Sequence, residues 1–432
     1  MTYRRALALL AARRETHVEL GLERLRAHLA RLGSPQRGLP VFHVAGTNGK
    51  GSTCALLASA LREAGYKTGL YTSPHLLSPR ERIQVDGRMI AEAAFARALE
   101  RALSAERPGA GLTYFELLTA AAFLHFRGQA CDVAVLETGL GGRLDATNVV
   151  ERPLACVISS IDYDHMAYLG DTIEAIAREK AGIVKASSPL VCAPLRPRAL
   201  RVMRAAAAAA GAPLSLVRRP WPCLKADWAG GRQTLRAPFG ELRLRLLGGC
   251  QGLNAALAYR ALKAASRRLP VGDERVRRGF ERAQWPARFQ VVRFGAKTAI
   301  LDGAHNPEAM RHLARTWRRS PWSRRRALWI VGMLRDKDAR GLLKPIAPLL
   351  REAVAVTPPS PRALPAEKLA RLLRKAAPRA RVSVEPDAAR ALRGWRRRRD
   401  LPTAVVCGSF YLAASALKSL SRNDKAPGRP RA

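Results

Sequence analysis

The stretch HVAGTNGKGSTC, His43 to Cys54, has the composition of a loop that grips phosphate. Gly46, Gly49 and Gly51 let backbone N–H groups come close to an anion, Lys50 adds a point charge, and Ser52 or Thr53 offers a hydroxyl toward a metal. The usual formula G-x-x-x-x-G-K-[ST] is not met: Val44 stands where the first glycine belongs, and Gly51 separates Lys50 from Ser52. Three readings remain: a damaged nucleotide site, a chance glycine cluster, or a different kind of ATP loop. A second residue draws notice at the end of the apolar run DVAVLE. Glu137 is a carboxylate closing an apolar strand near a phosphate loop, the position of a metal-holding acid.

Such a loop works only between a strand and a helix, so that the helix N-terminus points at the anion. VFHVA reads as the strand and STCALLASALREAG as the helix. Further apolar, β-rich runs lie at 68–71, 132–137, 155–159 and 190–193, with helical periodicity at 52–64, 115–126 and 172–181. Short alternating pieces between 221 and 247 predict a β-excursion. A second series of six strands follows, at 289–294, 298–301, 327–331, 353–356, 381–384 and 404–407, with helices between. The fold class is therefore α/β, in two parts. A P-loop-containing N-terminal ATPase domain with a mainly parallel sheet (1–285) precedes a smaller Rossmann-like C-terminal domain (286–420). The polar residues 421–432 read as a disordered tail.

At 432 residues, 48% hydrophobic and 25% charged, the chain has an ordinary globular composition, and no apolar run reaches the length of a membrane span. Seven dispersed cysteines without a C-x-x-C pair fit reduced thiols in a cytoplasmic protein. The basic start MTYRRALALLAARR is read as the first amphipathic helix, because helical sequence follows at once. A net charge of +41 invites a nucleic-acid reading, but the basic residues are spread along the chain, aromatics are 6%, and no recognition motif stands out. No specific nucleic-acid partner and no membrane partner is expected.

GTNGKGS, with its spacing, resembles the ATP loop of the Mur ligase superfamily. Other stretches narrow the resemblance to folylpolyglutamate synthase/dihydrofolate synthase: YTSPHLLSPRERIQVDG (71–87), TYFELLTAAAF (113–123), LETGLGGRLDATN (136–148) and DYDHMAYLGDTIEAIAREKAGI (162–183). WPARFQ (285–290), LDGAHNPEA (301–309), GMLRDKD (332–338) and CGSFYL (407–412) continue it in order over nearly the whole chain. The resemblance implies ATP-binding positions at Gly46, Thr47, Asn48, Gly49, Lys50, Gly51, Ser52, Asn254, Arg288 and Asp302, with His305 and Asn306 shaping the turn after Asp302. It implies a Mg²⁺ site of Ser73, Glu137 and His165, and a Lys180 carried as a carbamate. Lys50, Glu137, His165 and Lys180 would be the catalytic group. A pterin pocket would be lined by Thr113, Tyr114, Phe115, Glu116, Leu144, Asp145 and Ala146, and GGRLDATN favours the bifunctional type.

The activity implied is ATP-dependent ligation of L-glutamate to dihydropteroate and to reduced folates through an acyl phosphate, by a monomer. A form with polyglutamylating activity alone is the nearest alternative. Another Mur-type amide ligase would share the loop and the metal acid but lack TYFE and GGRLDATN. A basic nucleic-acid-binding protein with a loop remnant is a distant rival, separated by salt-titrated binding.

Overall fold

The protein is described by a computed structural model covering residues 1–422 except 14, 16, 18 and 108–110. Two compact units emerge, one comprising 1–222, 236–242 and 250–283, the other 223–235, 243–249 and the chain from 284 onward.

The first unit is built on an eight-stranded sheet: β1 (Val41–Ala45), β2 (Thr68–Tyr71), β3 (Ile83–Val85), β4 (Arg88–Met89), β5 (Val133–Glu137), β6 (Ala155–Ile158), β7 (Leu190–Cys192) and β8 (Leu214–Leu216). Their order is β4-β3-β2-β5-β1-β6-β7-β8, with the strands from β2 to β8 parallel and β3 and β4 turned back as an antiparallel edge. β1, β5 and β6 are buried along their whole length, which explains why they read as continuous apolar runs rather than alternating ones. The predicted helices appear as Lys50–Glu63, Tyr114–Gly128 and Ile173–Ala181, the second opened by a Thr113/Glu116 capping box and the third capped by Thr172. The amino-terminal segment folds as the helix Tyr3–Ala12, burying Ala6 and Leu10.

The β-excursion is a three-stranded sheet in the order β11-β10-β9, from β9 (Cys223–Asp227), β10 (Arg232–Ala237) and β11 (Gly240–Leu244). In the second unit, β12 (Gln290–Phe294), β13 (Lys297–Leu301), β14 (Ala327–Val331), β15 (Glu352–Val356), β16 (Arg381–Glu385) and β17 (Thr403–Cys407) form one sheet in the order β12-β13-β17-β14-β15-β16. β12 is antiparallel to β13; the other five are parallel, with the last strand of the chain inserted in the middle. Apolar faces of Pro307–Arg319 and Ala366–Ala376 cover one side of it, and those of Ala388–Arg397 and Phe410–Arg422 the other. The last helix carries the chain through Ser421 and Arg422, two residues past the tail boundary drawn from composition. The rest of that tail lies outside the described residues. No helix among the described residues is long and apolar enough to cross a membrane.

Candidate active site

Four neighbouring parallel strands of the first unit, β2, β5, β1 and β6, end at one edge of the sheet. Pairing of Tyr71 with Leu136, Val44 with Glu137 and Ala45 with Ile158 makes those ends flush. The chain leaving them supplies, in that spatial order, Ser73, Glu137, the glycine loop and the segment Ser159–Asp162. Carboxyl ends of parallel strands are where α/β sheets bind ligands, because the connecting loops and helix N-termini converge there.

Two glycines let the loop take its path. Gly46 has φ +151°, and a Cβ there would stand 2.0 Å from Ser159 Oγ. Gly49, at φ +87°, precedes the helix Lys50–Glu63, and its Cβ would stand 2.5 Å from Asn254 Oδ1. The loop is also tied to the chain beyond β6. Thr47 N donates to Ser160 O (2.9 Å), Asn48 N to Ser160 Oγ (2.9 Å) and Ser159 Oγ to Asn48 O (2.8 Å). Thr47 Oγ1 donates to Asp162 O at 3.1 Å. Asp162 in turn accepts from Arg196 Nη2 at 3.0 Å. The loop is thus shaped by its own protein contacts. Gly51 and Ser52 lie buried in the first helical turn, where the aligned peptide dipoles favour an anion.

Lys50 Nζ curls back to donate to Gly46 O (3.1 Å) and Thr47 O (3.3 Å). Lys180, only 4% exposed, donates to the same Gly46 oxygen at 2.9 Å. Burial, and then the nearby Lys50 charge, push the Lys180 ammonium down to about 7. A lysine in this state is close to half neutral at physiological pH, so it is a nucleophilic amine as well as a cation.

Of the three residues expected to hold a metal, two meet: Ser73 N donates to Glu137 Oε2 at 3.2 Å, and Glu137 is buried. His165, in a left-handed conformation (φ +52°) ahead of the short helix Met166–Leu169, carries its ring 3.8 Å from Asp164 Oδ1. Among the described residues no three His, Cys, Asp or Glu side chains cluster to hold a metal ion by themselves. A cation at Glu137 would therefore draw on hydroxyl, water and phosphate oxygens, a coordination that suits Mg²⁺ and its reluctance to shed water. The donor set fits.

The residues expected around a pterin lie on two loop-to-helix junctions. Glu116 accepts from Thr113 N (2.9 Å) and Thr113 Oγ1 (2.8 Å), and Arg24 Nη2 reaches both its oxygens at 2.9 Å. Asp145 accepts from Leu140 N (2.8 Å), Thr147 N (3.0 Å) and Thr147 Oγ1 (2.5 Å), and burial raises its pKa. Because the carboxylate only accepts, Thr147 donates to it and must accept from His43 Nε2 at 2.8 Å. That fixes the His43 tautomer and leaves Nδ1 as a bare acceptor, in keeping with its lack of a partner and with burial pushing its pKa down to about 3. Both carboxylates of this set thus organise their own loops. Phe115 packs its ring on Tyr71 (5.7 Å between centroids), Tyr114 lies under the Arg82 guanidinium (5.3 Å), Leu144 is half-buried and Ala146 buried.

In the second unit Asp302 follows β13 and accepts from Phe289 N and Ala304 N, both at 2.8 Å. Arg288 donates to Ala287 O (3.1 Å) and lies over the Phe410 ring (4.5 Å). His305 Nδ1 stands 2.9 Å from Gly303 O, and Asn306 caps the helix Pro307–Arg319 through Ala309 N. Asn254 belongs to the first unit, where its Nδ2 donates to Gln251 Oε1 (2.9 Å). Sequence reasoning assigned no role to Ser159, Ser160, Asp162, Arg196 or Gln251. The first three follow directly on a strand, and position after β6 was the only signal for them.

The loop, the acid one strand away and the two-part α/β fold define a Mur-type ligase: the Mur ligase middle domain matches residues 44–210, and the Mur ligase, glutamate ligase domain matches 287–410. Within that class, the chain belongs to the dihydrofolate synthase/folylpolyglutamate synthase family. It is 38% identical over 356 residues to the Bacillus subtilis dihydrofolate synthase/folylpolyglutamate synthase, covering 79% of this chain and 82% of that one. Escherichia coli FolC in complex with DHPP and ADP aligns with a TM-score of 0.85 at 34% identity, covering 97% of this chain and 98% of the other. The bifunctional Yersinia pestis enzyme complexed with AMPPNP and a Mn ion gives 0.83 at 33% identity, covering 98% of each chain.

Proposed function

We infer that this chain is an ATP-dependent ligase that adds L-glutamate to dihydropteroate and to the glutamate tail of reduced folates. The observation that carries the reading is the GTNGKGS loop at the carboxyl edge of the sheet, with Glu137 and Ser73 on the adjoining strand ends and two lysines converging on Gly46 O. Relatives solved with ADP, AMPPNP and Mn support a nucleotide and a divalent cation here. In this reading 1–285 form the nucleotide domain and 286–420 the glutamate-ligase domain of a monomer in the cytoplasm.

A carboxylate is a poor electrophile, so the acceptor's carboxylate first takes the γ-phosphoryl group of ATP, releasing ADP and forming an acyl phosphate. The amino group of glutamate then attacks the acyl carbon, the tetrahedral adduct collapses, and phosphate leaves as the amide forms. Thr47, Asn48, Gly49, Gly51 and Ser52 hold the phosphates on backbone dipoles, and Lys50 swings from its own loop carbonyls to the transferring group. Asn254, Arg288 and Asp302 complete the nucleotide contacts. Ser73, Glu137 and His165 would hold Mg²⁺, which would supply charge neutralisation for the triphosphate. Lys180 in its neutral form adds to CO₂ and loses a proton, becoming a carbamate that carries a negative charge beside the glycine loop at Gly46. The Thr113–Glu116 and Leu144–Ala146 junctions shape the pterin pocket.

The test is ADP release with ATP, Mg²⁺ and L-glutamate, using dihydropteroate and tetrahydrofolate separately as acceptors. Turnover with both is expected. Turnover with one alone overturns the bifunctional reading, and turnover with neither overturns the family activity for this chain.

A further inference from the structure

Five parallel strands in the second unit's sheet send the segments entering β14, β15, β16 and β17 to one edge of it, opposite the edge that bears Asp302. The register makes that edge flush, because Ala327 pairs with Thr403, Leu328 with Glu352, and Glu352 with Arg381. Each segment arrives carrying arginine. Arg324 and Arg325 precede β14, Arg351 precedes β15, Arg379 and Arg381 stand at the start of β16, and Arg399 precedes β17; all six are exposed. The two acids in these segments are already taken. Glu352 accepts from Arg398 (2.8 Å) and Arg326 (3.4 Å), and Asp400 from Arg398 (2.8 Å) and Arg326 (3.2 Å). Among the described residues none of the six exposed guanidiniums has a carboxylate within ion-pair distance.

We propose that this arginine rim docks the phosphate backbone of nucleic acid without regard to base sequence. Neighbouring strands are about 4.8 Å apart, so the three steps from β16 to β17 span about 14 Å. One strand of a duplex presents a phosphate every ~3.4 Å along the axis, so the rim matches about four phosphates. Guanidinium forks suit phosphate oxygens and stay charged at any physiological pH. The rim segments expose no large hydrophobic side chain to anchor in a bilayer and no aromatic ring for bases to stack on. Backbone contact alone remains, which is sequence-independent. The rim lies on the sheet edge away from Asp302, so docking there leaves that strand-end turn uncovered.

The experiment is fluorescence anisotropy of the full-length protein with two ~20-base-pair DNA duplexes of unrelated sequence, titrated across salt. Equal affinity for both is expected, with a log–log salt slope of about −3.6 for four phosphate contacts. R324Q/R325Q/R379Q leaves three of the six rim arginines and should reduce the slope to about −2.7 and weaken binding about tenfold at ~0.1 M salt, with ADP release unchanged. R201Q/R204Q/R267Q, which removes three exposed arginines of the first unit, should leave the slope in place. An equal loss in that control overturns the proposal, since total charge would then be the cause. So do a preference between the two sequences, absence of binding at ~0.1 M salt, or stronger capture by phosphatidylglycerol vesicles that depends on the same three arginines.

Discussion

Gly49 and Gly65 form a natural experiment. Their backbone angles are nearly the same, φ +87° and +93°, so an added Cβ costs about the same in each, about 1–2 kcal/mol for a left-handed L-residue. Their surroundings differ. A Cβ on Gly65 meets nothing within 4 Å, whereas on Gly49 it would lie 2.5 Å from Asn254 Oδ1. Asn254 cannot swing away freely: it is 4% exposed, and its Nδ2 is bonded to Gln251 Oε1 at 2.9 Å. Displacing it breaks that bond, worth about 1 kcal/mol net, and the alternative is to push the loop outward. Gly65→Ala is therefore expected to lower stability by about 1–2 kcal/mol, read from urea midpoints, and to leave turnover within about threefold. Gly49→Ala is expected to cost about 2–3 kcal/mol. Its turnover in ADP release should fall by about 10²-fold, since a loop shifted by about 1 Å no longer aligns the phosphates. If Gly49→Ala turns over as well as Gly65→Ala, the close approach of Gly49 to Asn254 has no part in nucleotide positioning, and the loop assignment fails with it.

Lys50→Ala should reduce turnover by about 10²–10³-fold, as expected for one preorganised electrostatic donor, while leaving pterin binding measured by fluorescence nearly intact. For Lys180 the sign follows from its pKa, lowered to about 7 in the folded protein from an ordinary 10.5. The unfolded chain binds the extra proton between those values, so in CO₂-depleted buffer stability should rise with pH from about 7 toward 10.5. Lys180→Met should flatten that rise in urea midpoints, and a wild-type profile retained in the variant would refute the burial argument.

The sheet order could be anticipated only in part. Strands buried on both faces announce themselves as apolar runs, and the site residues announce themselves because phosphate chemistry needs particular types at particular spacings. Gly49, Lys50 and Glu137 stood out as candidates for that reason. Their supports did not. Ser160 lies 112 residues from Asn48, and Lys180 lies 134 from Gly46. Only the parallel pairing of β1 with β6 brings Ser160 to the loop, and no local pattern encodes that pairing. Glu116 shows the converse. Its place in TYFE marked it for the pocket, and the geometry gives it a capping box and the Arg24 ion pair, tasks invisible without knowing where the segment 23–31 packs.

Arg288 and Asp302 make the same point in the second unit, where two residues read as separate contacts act as one device. Ala287 and Phe289, on either side of Arg288, both adopt left-handed backbone (φ +56° and +43°), a conformation that costs about 1–3 kcal/mol each for such residues and persists only where neighbours enforce it. Asp302 is the enforcer. Its Oδ2 accepts Phe289 N at 2.8 Å, while Gly303 N, one residue on, donates to Ala287 O at 2.9 Å. The strained turn is thereby pinned from both sides by the end of β13, and the Arg288 guanidinium is left over the Phe410 ring. Burial raises the Asp302 pKa and the Arg288 charge draws it back, so the carboxylate and the arginine depend on each other electrostatically as well as sterically. The turn's geometry is therefore a property of Asp302 as much as of WPARF, and a carboxylate that accepts two backbone N–H groups helps decide where the Arg288 guanidinium points.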